Sequence, residues 1–336
     1  MQRVTIIGLG LIGGSIGLGL RKWSDQNENA LRIVGYDHDM DKQSQGKKLG
    51  AVHDTQWSLS SAVSDADVVI IATPVGAMEE LFADIRGSLK PGAVVTDTGS
   101  TKANVLEWAK QLPEDVSFVG GHPMAGGAES LDAARADLVE KATWVVCPAI
   151  NAKDEAIRTV LGIISALEAD AFFVDAEEHD AYVAGVSHLP FVVAATLVQA
   201  TTTENSWRDM RSLAATGFRD TTRLALASPE MHRDIALTNR EALSRWIDVM
   251  TLSLQDFKNQ LNQADEDAAR EAVFDFLTKA QDTRAQVEVY QGRRSEQALE
   301  GNEGLAQENL SGQMSRMFLG GFGRRRNRPD GQKNQR

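Results

Sequence analysis

The chain has 336 residues, of which 42% are apolar, enough for two globular domains with cores of their own. Its formal net charge of −12 argues against nucleic acid as a partner of the main body, because binding to phosphates needs a basic face. Cys147 is the only cysteine, which excludes an intramolecular disulfide and a Cys-x-x-Cys metal site, so we expect no metal and a reducing, cytoplasmic location.

The first apolar segment, residues 3–8, predicts a β-strand that begins almost at the N-terminus. No basic and apolar leader precedes it, and no uninterrupted apolar run approaches about 18 residues, the length that spans a membrane. The glycine-rich segment that follows has small and apolar residues at helical spacing. We therefore expect a strand, a glycine turn and a helix, in a protein without a membrane segment.

The glycine turn, GLGLIG at residues 8–13, has the spacing Gly-x-Gly-x-x-Gly. Between a strand and a helix this spacing predicts a dinucleotide-binding turn, whose glycines allow the backbone to approach the pyrophosphate. The helix N-terminus offers unpaired N–H groups and partial positive charge to the phosphates. The residues expected to contact the cofactor here are Gly8, Gly10, Leu11, Ile12 and Gly13. A turn that serves packing alone is the alternative.

A second strand-like segment, residues 32–37, ends in Asp37. Asp37 lies somewhat farther from the glycine turn than the usual spacing of about 20 residues, and the polar insert at 24–29 accounts for the excess. A carboxylate at this place accepts hydrogen bonds from ribose hydroxyls and repels a 2′-phosphate, so we expect NAD in preference to NADP. Thr73 and Pro74 follow a later strand and are expected to line the nicotinamide side of the crevice.

Strand-like segments at 65–74, 92–100 and 115–123 alternate with helical segments, and two further strands are expected around a helix that follows them. Continuous apolar strands that alternate with helices predict a parallel sheet with helices on both faces. We therefore predict an α/β protein with a Rossmann-type NAD-binding domain at 1–174.

After residue 174 strand-like runs give way to long segments of helical periodicity. We predict an all-helical substrate and dimerisation domain at 175–291. Its apolar helices exceed what one small core needs, which indicates a homodimer. Residues 292–336 are expected to be a disordered tail, because much of this stretch is Gly, Asn, Gln and Arg without apolar periodicity.

Two histidines stand out by their position. His122 follows an apolar run, so we expect it in a turn at the carboxyl end of the sheet, with glycines that leave room for a substrate against the ring. A neutral imidazole there can take a proton from a substrate hydroxyl. His188 lies in an apolar helix two residues before Pro190, which predicts a kink; it either contacts substrate or is a core histidine. His179 and His232 are expected to cap or cover helix ends.

Ser100 comes directly before a predicted helix. It is expected to cap that helix, to bond the same substrate oxygen as His122, or to do both. Arg219 and Arg223 are four residues apart and share one face if the segment is helical. Two guanidinium groups favour a grip on a substrate carboxylate, with a surface salt bridge as the alternative for either arginine.

Five segments, taken in order within residues 1–290, resemble the prephenate and arogenate dehydrogenase family: GLGLIGGS, DTGSTK, GGHPMAG, HDAYVAGVSHLPF and GFRDTTRLA. The resemblance implies a Rossmann domain and a helical dimerisation domain that together oxidise a small cyclohexadiene substrate with NAD in tyrosine biosynthesis. It also implies roles for four residues: His122 as the base, Ser100 hydrogen-bonded beside it, Arg223 on the ring carboxylate and His188 in the substrate site.

The expected substrate is prephenate, which would be decarboxylated to 4-hydroxyphenylpyruvate; the alternative is arogenate, which would give tyrosine directly. Some prephenate-specific members carry an acidic residue six positions after the histidine, where this chain has Ala128 followed by Glu129, so the choice stays open. Another hydroxyacid dehydrogenase, or an NAD-binding protein without turnover, is a further alternative. Against the hydroxyacid enzymes, no lysine occurs between Asp154 and Phe257 to serve as their acid or base.

Overall fold

The computed structural model describes residues 1–127, 129–203 and 205–305. The N-terminal part forms one eight-stranded sheet with the spatial order β3-β2-β1-β4-β5-β6-β7-β8. Its strands in chain order are β1 (Gln2–Ile7), β2 (Leu31–Tyr36), β3 (Asp54–Thr55), β4 (Val68–Ile71), β5 (Val94–Asp97), β6 (Ser117–Pro123), β7 (Thr143–Pro148) and β8 (Asp170–Phe173). The predicted α/β class is confirmed, with the strand order reversing between β1 and β4.

The edge of the sheet corrects the expectation of an all-parallel sheet. Strands β1 to β6 pair in parallel, but β7 is antiparallel to β6, and β8 is parallel to β7. A parallel neighbour needs a crossover, usually through a helix. Among the described residues between β6 and β7 the chain forms only a short 3-10 turn at Leu131–Ala133, so it returns in the opposite direction.

Helices cover both faces of the sheet. The helices of this part are α1 (Leu11–Gln26), α2 (Met40–Lys48), α3 (Leu59–Val63), α4 (Met78–Ile85), α5 (Ala103–Ala109) and α6 (Asp154–Ala166). One core lies under α1 and α6 and includes Leu20 and Ile164. The other lies under α4 and α5, and Phe191 and Ile235 from the C-terminal part also pack into it. The two parts of the chain therefore share a core.

The C-terminal part is helical throughout its described residues. Its helices are α7 (Ala176–Val183), α8 (Leu189–Thr202), α9 (Trp207–Met210), α10 (Thr216–Thr222), α11 (Pro229–Thr238), α12 (Arg240–Leu261) and α13 (Glu266–Leu305). The last helix continues past residue 291, where we placed the start of a disordered tail, and the rest of that tail, 306–336, lies outside the described residues. The exact domain boundaries stay a prediction.

A π-helical turn, Ala184–His188, joins α7 to α8. Pro190 has no N–H and its ring clashes with a preceding carbonyl, so the expected distortion takes the form of this wider turn, in which the N–H of Leu189 bonds the carbonyl of Ala184. Gly185 lies in the turn directly under the Trp246 indole, where a Cβ would come within 2.7 Å of Trp246 Cε2.

The continuous helix Ala176–Thr202 is long and apolar enough to cross a membrane by length and composition alone. The expectation that no apolar run reaches membrane length does not cover this helix, because polar residues such as Ser187 and His188 interrupt its apolar residues. One such helix is weak evidence for a membrane span. Only 28% of its most apolar stretch is buried in the single chain, so much of its surface is left uncovered.

Candidate active site

The glycine turn between β1 and α1 contains glycines of two kinds. Gly8 has a φ of +96°, and a Cβ there would lie 2.6 Å from the Ala72 carbonyl oxygen. A Cβ on Gly13 would lie 1.9 Å from the carbonyl oxygen of Gly8. Packing within the protein therefore requires both of these glycines. Gly10 is different, because no atom lies within 4 Å of the place where its Cβ would stand.

The open space beside Gly10 lies at the N-terminus of α1. Gly10 is the N-cap of this 16-residue helix and its first turn carries no acidic residue. The amides of Leu11 and Ile12, in the first turn, have no partner within the helix. The helix dipole and these N–H groups favour an anion. The turn thus fits the pyrophosphate of a dinucleotide.

Asp37 lies just beyond β2, beside the glycine turn, with 6% of its surface exposed. Its Oδ2 accepts a hydrogen bond from the Leu9 N–H at 2.8 Å, and its Oδ1 accepts one from the Asp39 N–H at 3.0 Å. These bonds fix the carboxylate at the carboxyl edge of the sheet. This is the place from which an acidic residue reaches the ribose in dinucleotide folds.

Thr73 follows β4 on the other side of the glycine turn. Its hydroxyl is buried and makes no hydrogen bond to any described residue. Such a group costs about 1–3 kcal/mol if it stays unpaired, so a polar partner is expected. Pro74, next to it, opens a 3-10 turn at Val75–Ala77. Thr73 and Gly10 are therefore two independent observations that fit a bound dinucleotide.

His122 is the penultimate residue of β6, with 7% of its surface exposed. The expectation of a permissive turn around it is wrong, because Gly120 and Gly121 also belong to the strand. A Cβ on Gly121 would lie 2.6 Å from the Asp97 carbonyl oxygen, and one on Gly120 would lie 2.9 Å from that of Cys147. The glycines make room for neighbouring protein atoms and not for a substrate.

A chain of hydrogen bonds joins His122 to the helical part. His122 Nδ1 and His179 Nε2 are 2.9 Å apart, and His179 Nδ1 is 2.7 Å from Asp180 Oδ1. His179 lies inside α7 with 1% exposure, so the expectation that it caps or covers a helix end is wrong. Sequence reasoning missed His179 and Asp180 as site residues. The signal was present as an adjacent His-Asp pair in a segment of helical periodicity.

The carboxylate of Asp180 also caps α5. It accepts hydrogen bonds from the backbone N–H of Lys102 at 2.7 Å and of Ala103 at 2.9 Å. The expectation that Ser100 could cap this helix is therefore wrong, since α5 begins at Ala103 and its cap comes from the other domain. Ser100 is half-buried, and its backbone lies against the ring of His188.

His188 is 1% exposed and is bonded to a side-chain amide. Its Nδ1 lies 3.2 Å from Asn239 Nδ2, which also donates to the Asp180 carbonyl at 2.7 Å. Its Nε2 is buried and makes no bond of full hydrogen-bond geometry among the described residues, but the backbone of Ser100 is close enough to affect the ring. Burial lowers the pKa of His188 to about 4, against a smaller raising effect of Asp180. The ring is therefore neutral at neutral pH.

The environment of His122 also favours a neutral ring. Burial is the largest cause that lowers its pKa well below 6.5, and the electrostatic effects of His179, Lys102 and His188 act in the same direction. Lys102 is ion-paired with Asp97, which in turn accepts from the Gly121 N–H at 3.0 Å. Within the described part of the chain, His122 Nε2 makes no hydrogen bond. Nε2 is therefore the ring nitrogen that is open to a ligand.

Arg219 and Arg223 are exposed and form no ion pair with described residues. Helix α10 ends at Thr222, and Arg223 opens a 3-10 turn. Arg223 lies at an open groove of about 310 Å³. The groove is lined by Leu189, Pro190, Val193, Asp220, Thr221, Arg223, Leu224 and Met250. Its residues Leu189 and Pro190 directly follow His188, but the arginine makes no contact with His122.

A mostly parallel sheet, a dinucleotide turn, an acid beyond β2 and a neutral buried histidine at the carboxyl edge together define a nicotinamide-dependent dehydrogenase. The sequence model of prephenate dehydrogenase, nucleotide-binding domain, matches residues 16–172, and that of prephenate dehydrogenase, dimerization domain, matches residues 175–275. The chain belongs to the prephenate dehydrogenase family.

Individual relatives agree with this assignment. The prephenate dehydrogenase of Bacillus subtilis (strain 168) is 36% identical over 285 residues, which are 84% of this chain and 75% of that protein. The crystal structure of prephenate dehydrogenase from A. aeolicus in complex with hydroxyphenyl propionate and NAD+ superposes with a TM-score of 0.77 at 28% identity, over 85% of this chain and 98% of that one. The crystal structure of Synechocystis arogenate dehydrogenase superposes with a TM-score of 0.70 at 26% identity, over 85% of this chain and 100% of that one.

Proposed function

We propose that this protein catalyses the NAD-dependent oxidative decarboxylation of prephenate to 4-hydroxyphenylpyruvate in tyrosine biosynthesis. The observation that carries the proposal is His122, a buried neutral histidine at the carboxyl edge of the sheet whose Nε2 makes no bond within the described residues. The family relationship supports the substrate, because prephenate gives its name to the B. subtilis relative.

NAD supplies the hydride acceptor when it is bound. Gly10, Leu11 and Ile12 would hold its pyrophosphate at the start of α1, together with Gly8 and Gly13, which shape the turn. Asp37 would accept hydrogen bonds from the ribose hydroxyls. Thr73, with its unpaired buried hydroxyl, and Pro74 would line the nicotinamide side.

His122 would take the proton of the C4 hydroxyl at Nε2 while the hydride leaves C4. The resulting dienone carries a carboxylate on the opposite ring carbon. Loss of CO₂ leaves its electron pair in the ring, which becomes aromatic as the C4 oxygen takes up a proton. No metal is required for these steps.

Three further residues are proposed around the substrate. Ser100 would hydrogen-bond the same substrate oxygen as His122. The Asp180 cap at the start of α5 holds the loop that carries Ser100. Arg223, exposed at the groove and without an ion pair among described residues, would hold a substrate carboxylate. His188, whose ring lies against the backbone of Ser100, would face the substrate from the helical domain.

A homodimer would cover the apolar surface of the helical domain. The match to the family's dimerization domain supports this assembly. Large apolar side chains are exposed along its helices: Val186 (76%), Leu226 (82%), Leu252 (71%) and Phe274 (69%). In this proposal the apolar helix Ala176–Thr202 serves the interface and not a membrane, and the enzyme is cytoplasmic.

Arogenate is the second candidate substrate, because the chain is also similar to Synechocystis arogenate dehydrogenase. The test is kcat/KM for prephenate and arogenate, each with NAD and NADP, followed by absorbance of the reduced cofactor. We expect activity with prephenate and NAD, and a loss of about a hundredfold or more in His122→Asn. His53→Asn is the control, because the amide oxygen replaces the ring nitrogen that accepts from the Ile33 N–H. Inactivity on both substrates would contradict the proposal.

A further inference from the structure

We infer that His179 and Asp180 are positioning residues that fix the proton of His122 on Nδ1 and leave Nε2 free as the base. The inference rests on the proposed function, in which His122 takes the proton of a substrate hydroxyl. His179 and Asp180 act through His122 and are not assigned contacts with the substrate.

The argument begins at Asp180. Its two carboxylate oxygens accept from two backbone N–H groups at the start of α5, at 2.7 and 2.9 Å. Bonds from backbone N–H groups at a helix N-terminus favour the charged form of a carboxylate. A carboxylate only accepts hydrogen bonds, so the ring nitrogen of His179 that lies 2.7 Å from Oδ1 must be the donor.

The tautomer of His179 in turn determines the tautomer of His122. In the tautomer of His179 that has its one proton on Nδ1, facing Asp180, the Nε2 has a lone pair. His122 Nδ1 lies 2.9 Å from that nitrogen, and two acceptors cannot share a hydrogen bond, so His122 Nδ1 carries the proton. The rings meet edge to face, with an interplanar angle of 79°. The unprotonated Nε2 of His122 is therefore specified by a residue of the other domain.

The same bonds stabilise the charge that forms during the reaction. When His122 gains a proton on Nε2 it becomes an imidazolium, and its Nδ1–H still donates to His179, whose own N–H faces the anion of Asp180. Other charged and titratable groups face His122 from the packed elements. They are Lys102, which is paired with Asp97, and His188. Lys102 opposes the positive charge, and its partner Asp97 is already paired with it, so Asp180 is the anion that compensates the imidazolium through His179.

Asp180 also caps α5, so an Asp180 variant alone would not separate positioning from folding. His179→Phe and His179→Gln leave the cap intact. Gln retains a donor and an acceptor, whereas Phe has neither. We expect His179→Phe to lower kcat by about a hundredfold or more, with His179→Gln in between, while KM changes little. The melting temperature of His179→Phe should fall by about 5 °C, because buried polar groups lose a partner, and the variant should stay folded under assay conditions. Equal kcat values in the wild type and His179→Phe would overturn the inference.

The tautomer itself gives a readout that is independent of turnover. Nitrogen NMR of the full chain with labelled histidine separates protonated from unprotonated ring nitrogens. At neutral pH we expect His122 to be protonated on Nδ1 and unprotonated on Nε2, and this signature to be lost in His179→Phe. A proton on Nε2 of His122 in the wild type would overturn the inference. The expected tautomer in a protein that fails to oxidise prephenate would refute the proposed function instead.

Discussion

Lys102 and Asp97 form an ion pair from which water is excluded, since both side chains have 0% exposure. Asp97 also accepts from the N–H of Gly99 at 2.8 Å and of Gly121 at 3.0 Å. The pair therefore ties the end of β5 to β6 one residue before His122. A buried pair adds little net stability while intact, because desolvation offsets the attraction, but loss of one partner leaves a buried charge uncompensated.

Lys102→Met is therefore expected to lower the free energy of unfolding by about 3–5 kcal/mol. The control is Lys110→Met, because Lys110 is paired with Glu107 where the two side chains are 70% and 68% exposed. That change is expected to cost less than about 1 kcal/mol. Guanidinium unfolding of both variants measures the difference. Similar small losses in both would mean that the Asp97 charge is compensated by another group.

Gly10→Ala is expected to leave the fold intact and to weaken NAD binding about tenfold or more. The methyl group would meet no protein atom within 4 Å, so it would occupy the space proposed for the pyrophosphate. Fluorescence titration with the cofactor, combined with thermal unfolding, separates the two effects. Gly87→Ala also meets open space, but at the end of a different helix, and should not change the affinity. Unchanged affinity in Gly10→Ala would place the pyrophosphate elsewhere.

Asp37→Asn is expected to lower the preference for NAD over NADP by about tenfold, which is about 1.4 kcal/mol. The neutral amide removes the repulsion of a 2′-phosphate but retains an oxygen that can accept from the Leu9 N–H. The ratio of the two kcat/KM values is the measurement. Asp39→Asn is the matched control, because Asp39 caps α2 and accepts from Asp41. A ratio that stays the same in Asp37→Asn would assign cofactor choice to other residues.

His188 makes stability depend on pH. Its pKa is about 4 in the folded chain and 6.5 as an ordinary histidine, so the unfolded state binds the proton first as pH falls. The contribution of His188 to the free energy of unfolding, about 3 kcal/mol, is fully present above pH 6.5 and is lost as the pH falls towards 4. Urea unfolding across this range should give a shallower pH dependence in His188→Gln than in the wild type. His38→Gln, at a site with 90% exposure, should retain the wild-type slope.

The parts of the fold that the sequence predicted are those set by neighbouring residues. The glycine turn, the apolar strands and the long helices follow from local periodicity and backbone sterics. The direction of β7 did not follow, because it depends on a connection without a crossover helix. Local pattern predicts the strand but not its orientation.

The candidate site was predicted only in part, because local pattern does not show which distant residues come together. His122 was found from its position after an apolar run, but its partner His179 is 57 residues away on a helix of the other domain. Ser100 was considered as a cap because it precedes α5, while the actual cap comes from Asp180, 78 residues after Lys102. Contacts between domains leave no periodic signal, so the sequence did not show that His179 and Asp180 meet His122 and α5.

The origin of the α5 cap has a consequence for how the protein is made. Helix α5 has seven residues, too few to persist in water without help, since isolated helices shorter than about 12–15 residues are marginal. Its first amides gain the Asp180 hydrogen bonds only when α7, which follows α5 in the chain, has been synthesised and has docked. The loop that carries Ser100 is thus completed by a later segment of the chain, and the nucleotide-binding half alone lacks the cap that holds this loop in place.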